Sequence, residues 1–261
     1  MTSACAHYVS VGDSFSAGLE TDAFPSWPWL LEAHLRRQRP GLRHTSLAWV
    51  GATSRDVLET QLARAVELEP DLVTISCGVN DVLLSVSPDR VELERNLLIL
   101  ACTLSSLLPE ATVVMLAYAD FTPFSPFRPR SRERIRAGLE FLNGAVHRAS
   151  QAAGCLVVDP NDSPLARSAD SYGADGIHAS ELGHVRTAEA VVVALGAPAP
   201  VATGGSATAV LFPGQGVQTP AMEHEVRRWC PELGRSLERA VGDDPFGRLG
   251  EGTAVVQPAL Y

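Results

Sequence analysis

Two runs constrain this chain most, Asp71–Cys77 (DLVTISC) and Thr112–Ala119 (TVVMLAYA). Each is long enough for one strand and almost continuously apolar. A strand without polar alternation has no face to give to water, so it must be covered on both sides, as central strands of parallel sheets are. Helical patterns separate such runs through the first two hundred residues. Tyr8–Val11, Thr45–Val50 and Cys155–Val158 read as further strands. Trp27–Arg37, Ser54–Glu67, Pro88–Leu107, Ser131–Ala153 and Glu181–Leu195 read as helices, with Ser54 and Ser87 as N-caps. Repeated strand–helix alternation predicts an α/β fold, a parallel sheet with helices on both faces. In such sheets, sites form at the carboxyl ends of the strands.

At 261 residues there is room for one such domain and an additional piece. Residues 1–196 carry the alternation. Residues 197–208 are rich in Gly, Ala and Pro and read as a linker, and 209–261 begin again with an apolar run and a glycine turn. A formal net charge of −9 argues against nucleic acid or an anionic membrane as the main partner. No stretch has the pattern of a secretory signal or a membrane span, so a cytoplasmic location is expected. Cysteines number 5, an odd count, scattered without a Cys-x-x-Cys pair, which favours reduced thiols over disulfides or a metal site.

Several strand ends carry residues with chemical potential. Gly12-Asp13-Ser14 follows the first strand, where a sharp turn exposes a hydroxyl and aims a backbone N–H into the same space. A turn or helix cap would account for the triplet equally well. Gly51 ends the second strand, and Gly78-Val79-Asn80-Asp81 follows the third. Asn80 has an amide able to donate to a developing oxyanion, though Asn-Asp turns are common at strand ends. Asp175-Gly176-Ile177-His178 precedes the last helix. His178 has the chemistry of a general base, with Asp175 near enough to orient it, while a solvated Asp and a capping His are the bland reading. His184 is a weaker candidate, inside the closing helix.

Taken together and in this order, the blocks Gly12-Asp13-Ser14, Gly51, Gly78-x-Asn80-Asp81 and Asp175-x-x-His178 resemble those of the SGNH hydrolases, the GDSL esterase/lipase family, over about residues 7–195. The resemblance implies a flavodoxin-like three-layer α/β/α sandwich. It also implies a serine esterase or thioesterase with Ser14 as nucleophile, His178 as base and Asp175 as its orienter. Ser14, Gly51 and Asn80 would form the oxyanion hole, and no metal or redox cofactor is implied.

Leu211-Phe212-Pro213-Gly214-Gln215-Gly216, with Met222 and Gln257-Pro258-Ala259-Leu260, resembles the opening of malonyl-CoA:acyl-carrier-protein transacylases and polyketide synthase acyltransferase domains. The nucleophile elbow and catalytic histidine of that family are not among residues 209–261, so the segment is an incomplete acyltransferase-like piece. That likeness suggests polyketide or fatty-acid biosynthesis, with acyl-carrier protein as a possible partner. Arg128, Arg130, Arg132, Arg134 and Arg136 would suit an acidic carrier or a phosphate, or simply a solvated helix start. The segment Phe121–Phe127 would wall an acyl pocket, form a lid, or pack as an ordinary loop. Three functions are therefore open: an ester hydrolase, a carrier-protein deacylase or acyltransferase, and a non-catalytic carrier-docking module.

Overall fold

A computed structural model describes residues 7–18, 25–162 and 168–196. Residues 197–261, expected to be a linker and an acyltransferase-like segment, lie outside the described residues, as do Cys5 and Cys230.

Five strands form one sheet in the order β2-β1-β3-β4-β5, with every pairing parallel. They are β1 (His7–Gly12), β2 (Arg43–Ser46), β3 (Leu72–Ser76), β4 (Thr112–Leu116) and β5 (Leu156–Val158). This is the flavodoxin-like winding, whose direction reverses between β1 and β3 and leaves a crevice at their carboxyl ends. The expected α/β sandwich with a parallel sheet is the fold observed.

Side-chain alternation divides the core into two layers. Val9, Val11, Val73, Ile75, Val113 and Met115 face α6 (Arg90–Leu107) and α7 (Pro129–Ala153), which contribute Leu93, Leu97, Leu100, Leu139 and Leu142. Tyr8, Leu72, Val114 and Leu116 face α2 (Trp27–Gln38) and α8 (Glu181–Ala194) through Trp27, Leu31, Val191 and Val192. Burying one such Leu or Ile side chain stabilises the fold by about 1.5–3 kcal/mol. The second layer carries more polar groups. The Tyr8 hydroxyl lies 2.9 Å from Thr74 Oγ1, and Ser10 Oγ lies 2.9 Å from His44 Nε2.

Several boundaries move for local reasons. Thr45–Val50 is not one strand. β2 ends at Ser46, and the chain follows β1 only through Leu47 N–H to Ser10 C=O (2.8 Å) and Trp49 N–H to Gly12 C=O (3.4 Å). Trp49 and Val50 are 43% and 50% exposed, so that apolar run is not core. Thr53, not Ser54, caps α3 (Ser54–Asp56), closing a capping box with Asp56, while Ser54 bonds to Asp81. Asp89 replaces Ser87 as the cap of α6, its carboxylate accepting from Glu92 N–H. The helix α7 starts at Pro129, whose fixed φ suits a first helical position. Between α3 and α4 (Leu62–Glu67) the chain widens into a π-turn over Val57–Gln61, so the expected single helix has a bulge in it. Cys77, Cys102 and Cys155 are free thiols.

Candidate active site

Gly12 ends β1 at φ +149°, and a Cβ there would come 2.1 Å from Ser76 C=O. Only glycine fits. Gln61, at the close of the π-turn, clamps this residue from both sides, accepting from Gly12 N–H (2.8 Å) and donating to Gly12 C=O (2.9 Å). The chain then turns directly into α1 (Ser14–Ala17), with Asp13 as N-cap accepting from Phe15 N–H at 3.0 Å. Ser14 thus begins a one-turn helix at the crevice between β1 and β3.

Of the residues singled out in the sequence, Ser14, His178 and Asp175 come together. Ser14 Oγ lies 3.2 Å from His178 Nε2, and His178 Nδ1 lies 2.5 Å from Asp175 Oδ2. The second carboxylate oxygen of Asp175 accepts from Ile177 N–H (2.8 Å) and His178 N–H (3.0 Å). Burial alone would raise the Asp175 carboxyl. The hydrogen bonds from the His178 ring and from these two backbone groups outweigh it and hold the group below its ordinary range. With Asp175 ionised, Nδ1 carries the ring proton and Nε2 faces the serine as acceptor. Gly176 closes the loop at φ +66°, where a Cβ would meet Phe124 C=O at 2.2 Å.

Asn80 sits in α5 (Val79–Leu83), nearly buried, and donates one amide hydrogen to Ala52 C=O at 2.9 Å. That bond joins α5 to the turn holding Gly51. Asp81 strengthens the junction by accepting from Ser54 N–H (2.8 Å) and Ser54 Oγ (2.7 Å), while Asn96 donates to Ser54 Oγ at 3.1 Å.

His184 belongs to the core. It is buried in α8, accepts from Trp27 N–H through Nδ1 at 3.2 Å and stacks on Phe15. Burial pushes its pKa down to about 4. The arginine run divides. Arg132 donates to Ser125 and Phe127 C=O, Arg134 to Val82 and Ser85 C=O, and Arg136 to Asp120 and Thr122. Arg128 and Arg130 stay exposed. Phe121 is buried, and Phe124 stacks on Tyr172 with ring centres 5.1 Å apart, so this segment packs against the His178 loop.

Three supporting residues went unread in the sequence: Gln61, Asp81 as a tie between loops, and Tyr118, whose hydroxyl donates to Asp13 at 3.0 Å. The Thr53-Ser54-Arg55-Asp56 run carried a weak signal of a helix start. Gln61 and Tyr118 carried none, because each sits in a run that reads as ordinary helix or strand.

Residues 10–186 match the family model described as GDSL-like Lipase/Acylhydrolase family. No curated protein matches the chain. Among solved structures, the chain is 25% identical to TesA over 72% of this chain and 97% of that one, with a TM-score of 0.58. It is 24% identical to LAE5, an alpha/beta hydrolase enzyme from the metagenome of Lake Arreo, Spain, over 75% and 97%, with a TM-score of 0.59. It is also 21% identical to an extracellular lipase from Streptomyces rimosus, over 73% and 100%, with a TM-score of 0.58.

Proposed function

We propose that this chain, which belongs to the GDSL-like lipase/acylhydrolase family and is a serine hydrolase acting on ester bonds, works through Ser14, His178 and Asp175 on small acyl esters. The observation that carries the reading is the 3.2 Å approach of Ser14 Oγ to His178 Nε2, made by residues 164 apart in sequence. Ser14 Oγ attacks the acyl carbonyl and His178 Nε2 takes its proton. Asp175 holds the ring tautomer and stabilises the imidazolium. The N–H groups of Ser14 and Gly51 and the second amide hydrogen of Asn80 receive the oxyanion. As the tetrahedral species collapses, His178 returns the proton to the leaving alcohol. Water, deprotonated by His178 in turn, then releases the acid and restores Ser14. Ser14→Ala is expected to abolish turnover of p-nitrophenyl acetate with the circular dichroism spectrum unchanged, and turnover at the wild-type rate would remove Ser14 from this role.

Exposed Arg128 and Arg130, beside the phenylalanine segment, favour a second reading, removal or transfer of acyl groups carried as thioesters on acyl-carrier protein in the cytoplasm. The acyltransferase-like residues 209–261 would then belong to a polyketide or fatty-acid assembly line. Mass spectrometry of acyl-carrier protein before and after treatment tests this. Loss of the acyl mass supports it, and intact acyl carrier across several chain lengths refutes it. Failure of a fluorophosphonate probe to label Ser14 would favour a non-catalytic docking module instead.

A further inference from the structure

Asp13 is fully buried, yet it lies one residue from the nucleophile and caps the helix that Ser14 begins. A carboxylate in such a place needs donors for both oxygens. One accepts from Phe15 N–H, and the other from the Tyr118 hydroxyl, 3.0 Å away and from the far side of β3 in the strand order. Because that phenol proton goes to Asp13, Ser76 Oγ, 3.0 Å from the same phenol oxygen, is its donor. The result is a buried chain of donors running from Ser76 through Tyr118 to Asp13.

Tyr118 is itself held rigidly. Asn143 accepts from Tyr118 N–H at 2.9 Å and donates to Tyr118 C=O at 2.8 Å, and Asn161 adds a second donor to that carbonyl at 3.1 Å. Three hydrogen bonds thus fix one backbone position just past the end of β4. We propose that Tyr118 is a positioning residue for the nucleophile, its phenol holding the Asp13 carboxylate charged and in its capping geometry and thereby fixing the turn from which Ser14 projects.

Burial is the main influence on the Asp13 carboxyl and raises its pKa to about 7, while the Phe15 N–H, the Tyr118 hydroxyl and, whenever its ring is protonated, His178 pull it back. The ionisable groups facing it are Tyr118 beyond β4, Cys77 at the end of β3, Asp81 in α5 and His178 before α8. Of these, Asp81 disfavours the charged form of Asp13 and a protonated His178 favours it. Asp13 is therefore poised, and loss of the phenol donor tips it toward the neutral acid.

The inference rests on Ser14 being the nucleophile, so the test separates the two. Fluorophosphonate labelling of the full chain reads Ser14 reactivity without a known substrate. Labelling of the wild type that Ser14→Ala abolishes establishes the nucleophile, and an unlabelled wild type removes that reading. Tyr118→Phe is then expected to label about tenfold more slowly at neutral pH, as loss of a hydrogen bond to a charged group predicts. The acid limb of its rate–pH profile should move to higher pH, because Asp13 protonates more readily. In an Asp13→Asn background, adding Tyr118→Phe should change the rate by less than about twofold, the non-additivity of groups acting in series. A folded Tyr118→Phe protein with an unmoved acid limb overturns the inference whatever its rate, since a packing role lowers reactivity without moving a titration. Should that variant fail to fold, Ser76→Ala removes the donor behind the phenol and decides instead. A smaller shift of the limb in the same direction supports the inference, and no shift overturns it.

Discussion

Among the described residues two serine–histidine–acid clusters occur, and they differ in what surrounds them. At the carboxyl ends of the strands, Ser14, His178 and Asp175 are linked at 3.2 and 2.5 Å. Inside the α2/α8 layer, Ser10 Oγ lies 2.9 Å from His44 Nε2, and Glu32 Oε2 approaches His44 Nδ1 at 3.5 Å. By residue type the second set also qualifies. Its members differ in surroundings. The His44 side chain is 0% exposed, stacked on Tyr8 and edged by Trp29, whereas that of His178 is 23% exposed. His44 Nδ1 finds no hydrogen-bond partner despite the nearby carboxylate, while His178 Nδ1 has a short one. Burial pushes His44 down to about 4, so it does not charge to pair with Glu32 at neutral pH, and Glu32 is instead met by Arg36 at 3.0 Å. Ser10 sits within a strand paired on both sides, and the loop N–H beside it, that of Leu47, is already taken by the Ser10 C=O at 2.8 Å. A triad is thus recognised by access and by what surrounds the serine, not by its three residue types.

The comparison breaks most visibly if the clusters are exchanged in a mutagenesis experiment. His178→Ala is expected to lower kcat on p-nitrophenyl acetate by about 10⁴-fold with thermal stability retained. His44→Ala should do the reverse, leaving kcat within about twofold while destabilising the fold by about 2–3 kcal/mol through a core cavity and an unpaired Ser10 hydroxyl. Steady-state kinetics and thermal melts on both variants decide it. Loss of activity without loss of stability in His44→Ala would put the inner cluster into the reaction. Next in size is Asn80→Ala, expected to cost about 10²–10³ in kcat with KM little changed, the loss typical of one oxyanion donor. A change confined to KM would make Asn80 a substrate contact instead.

The two clusters also differ in how far the sequence announces them. Each outer block is local, a few residues directly after an apolar strand, so Ser14, Gly51, Asn80, Asp175 and His178 could be picked out without knowing which strands pair. The inner cluster draws on β1, α2 and β2, and Ser10 and His44 become neighbours only through the parallel register that sets His44 beside Tyr8 and Ser46 beside Ser10. Tyr118 and Gln61 were hidden for the same reason. Gln61 looks like one more polar residue of an amphipathic helix, and it reaches Gly12 only because the π-turn swings it inward. The strand misread at Thr45–Val50 shows the converse error. Trp49 and Val50 are apolar yet 43% and 50% exposed, so apolar residues continue the run past the point where strand pairing stops.

A third difference is in the response to acid. His44 and His184 are both pushed down to about 4 by burial, from an ordinary value of 6.5. The unfolded chain binds these protons first, so their contribution to stability is complete above pH 6.5 and lost as pH falls toward 4. Asp13, raised to about 7 from 3.8, acts in the opposite sense, favouring the fold as pH falls through that range. Urea unfolding between pH 4.5 and 7.5 should show the fall in stability with acid made shallower in His44→Gln, by on the order of 2–3 kcal/mol across the window. An unchanged slope would mean that His44 is not held neutral by the core, and the contrast with His178 would lose its electrostatic half.

The smallest expected effect concerns what the outer cluster needs and the inner one does not, which is bracing. An accessible site is built from loops, and loops must be tied to rigid elements. Arg134, on α7, donates to Val82 and Ser85 C=O at 2.9 and 2.5 Å and so closes the carboxyl end of the short helix that carries Asn80. The same two helices touch so closely that a Cβ on Gly138 would meet Val82 Cγ1 at 2.4 Å. Arg134→Met keeps the aliphatic stem and removes the donors. It is expected to lower kcat by roughly threefold, with about 1 kcal/mol of stability lost, the scale of one or two exchanged hydrogen bonds. Arg128→Met, an exposed residue of the same run with no such ties, is the control and should leave both unchanged. If the two variants behave alike in p-nitrophenyl acetate kinetics and in melts, α5 holds Asn80 in place without help from α7, and the bond from Asn80 to Ala52 C=O together with the Asp81–Ser54 tie suffices.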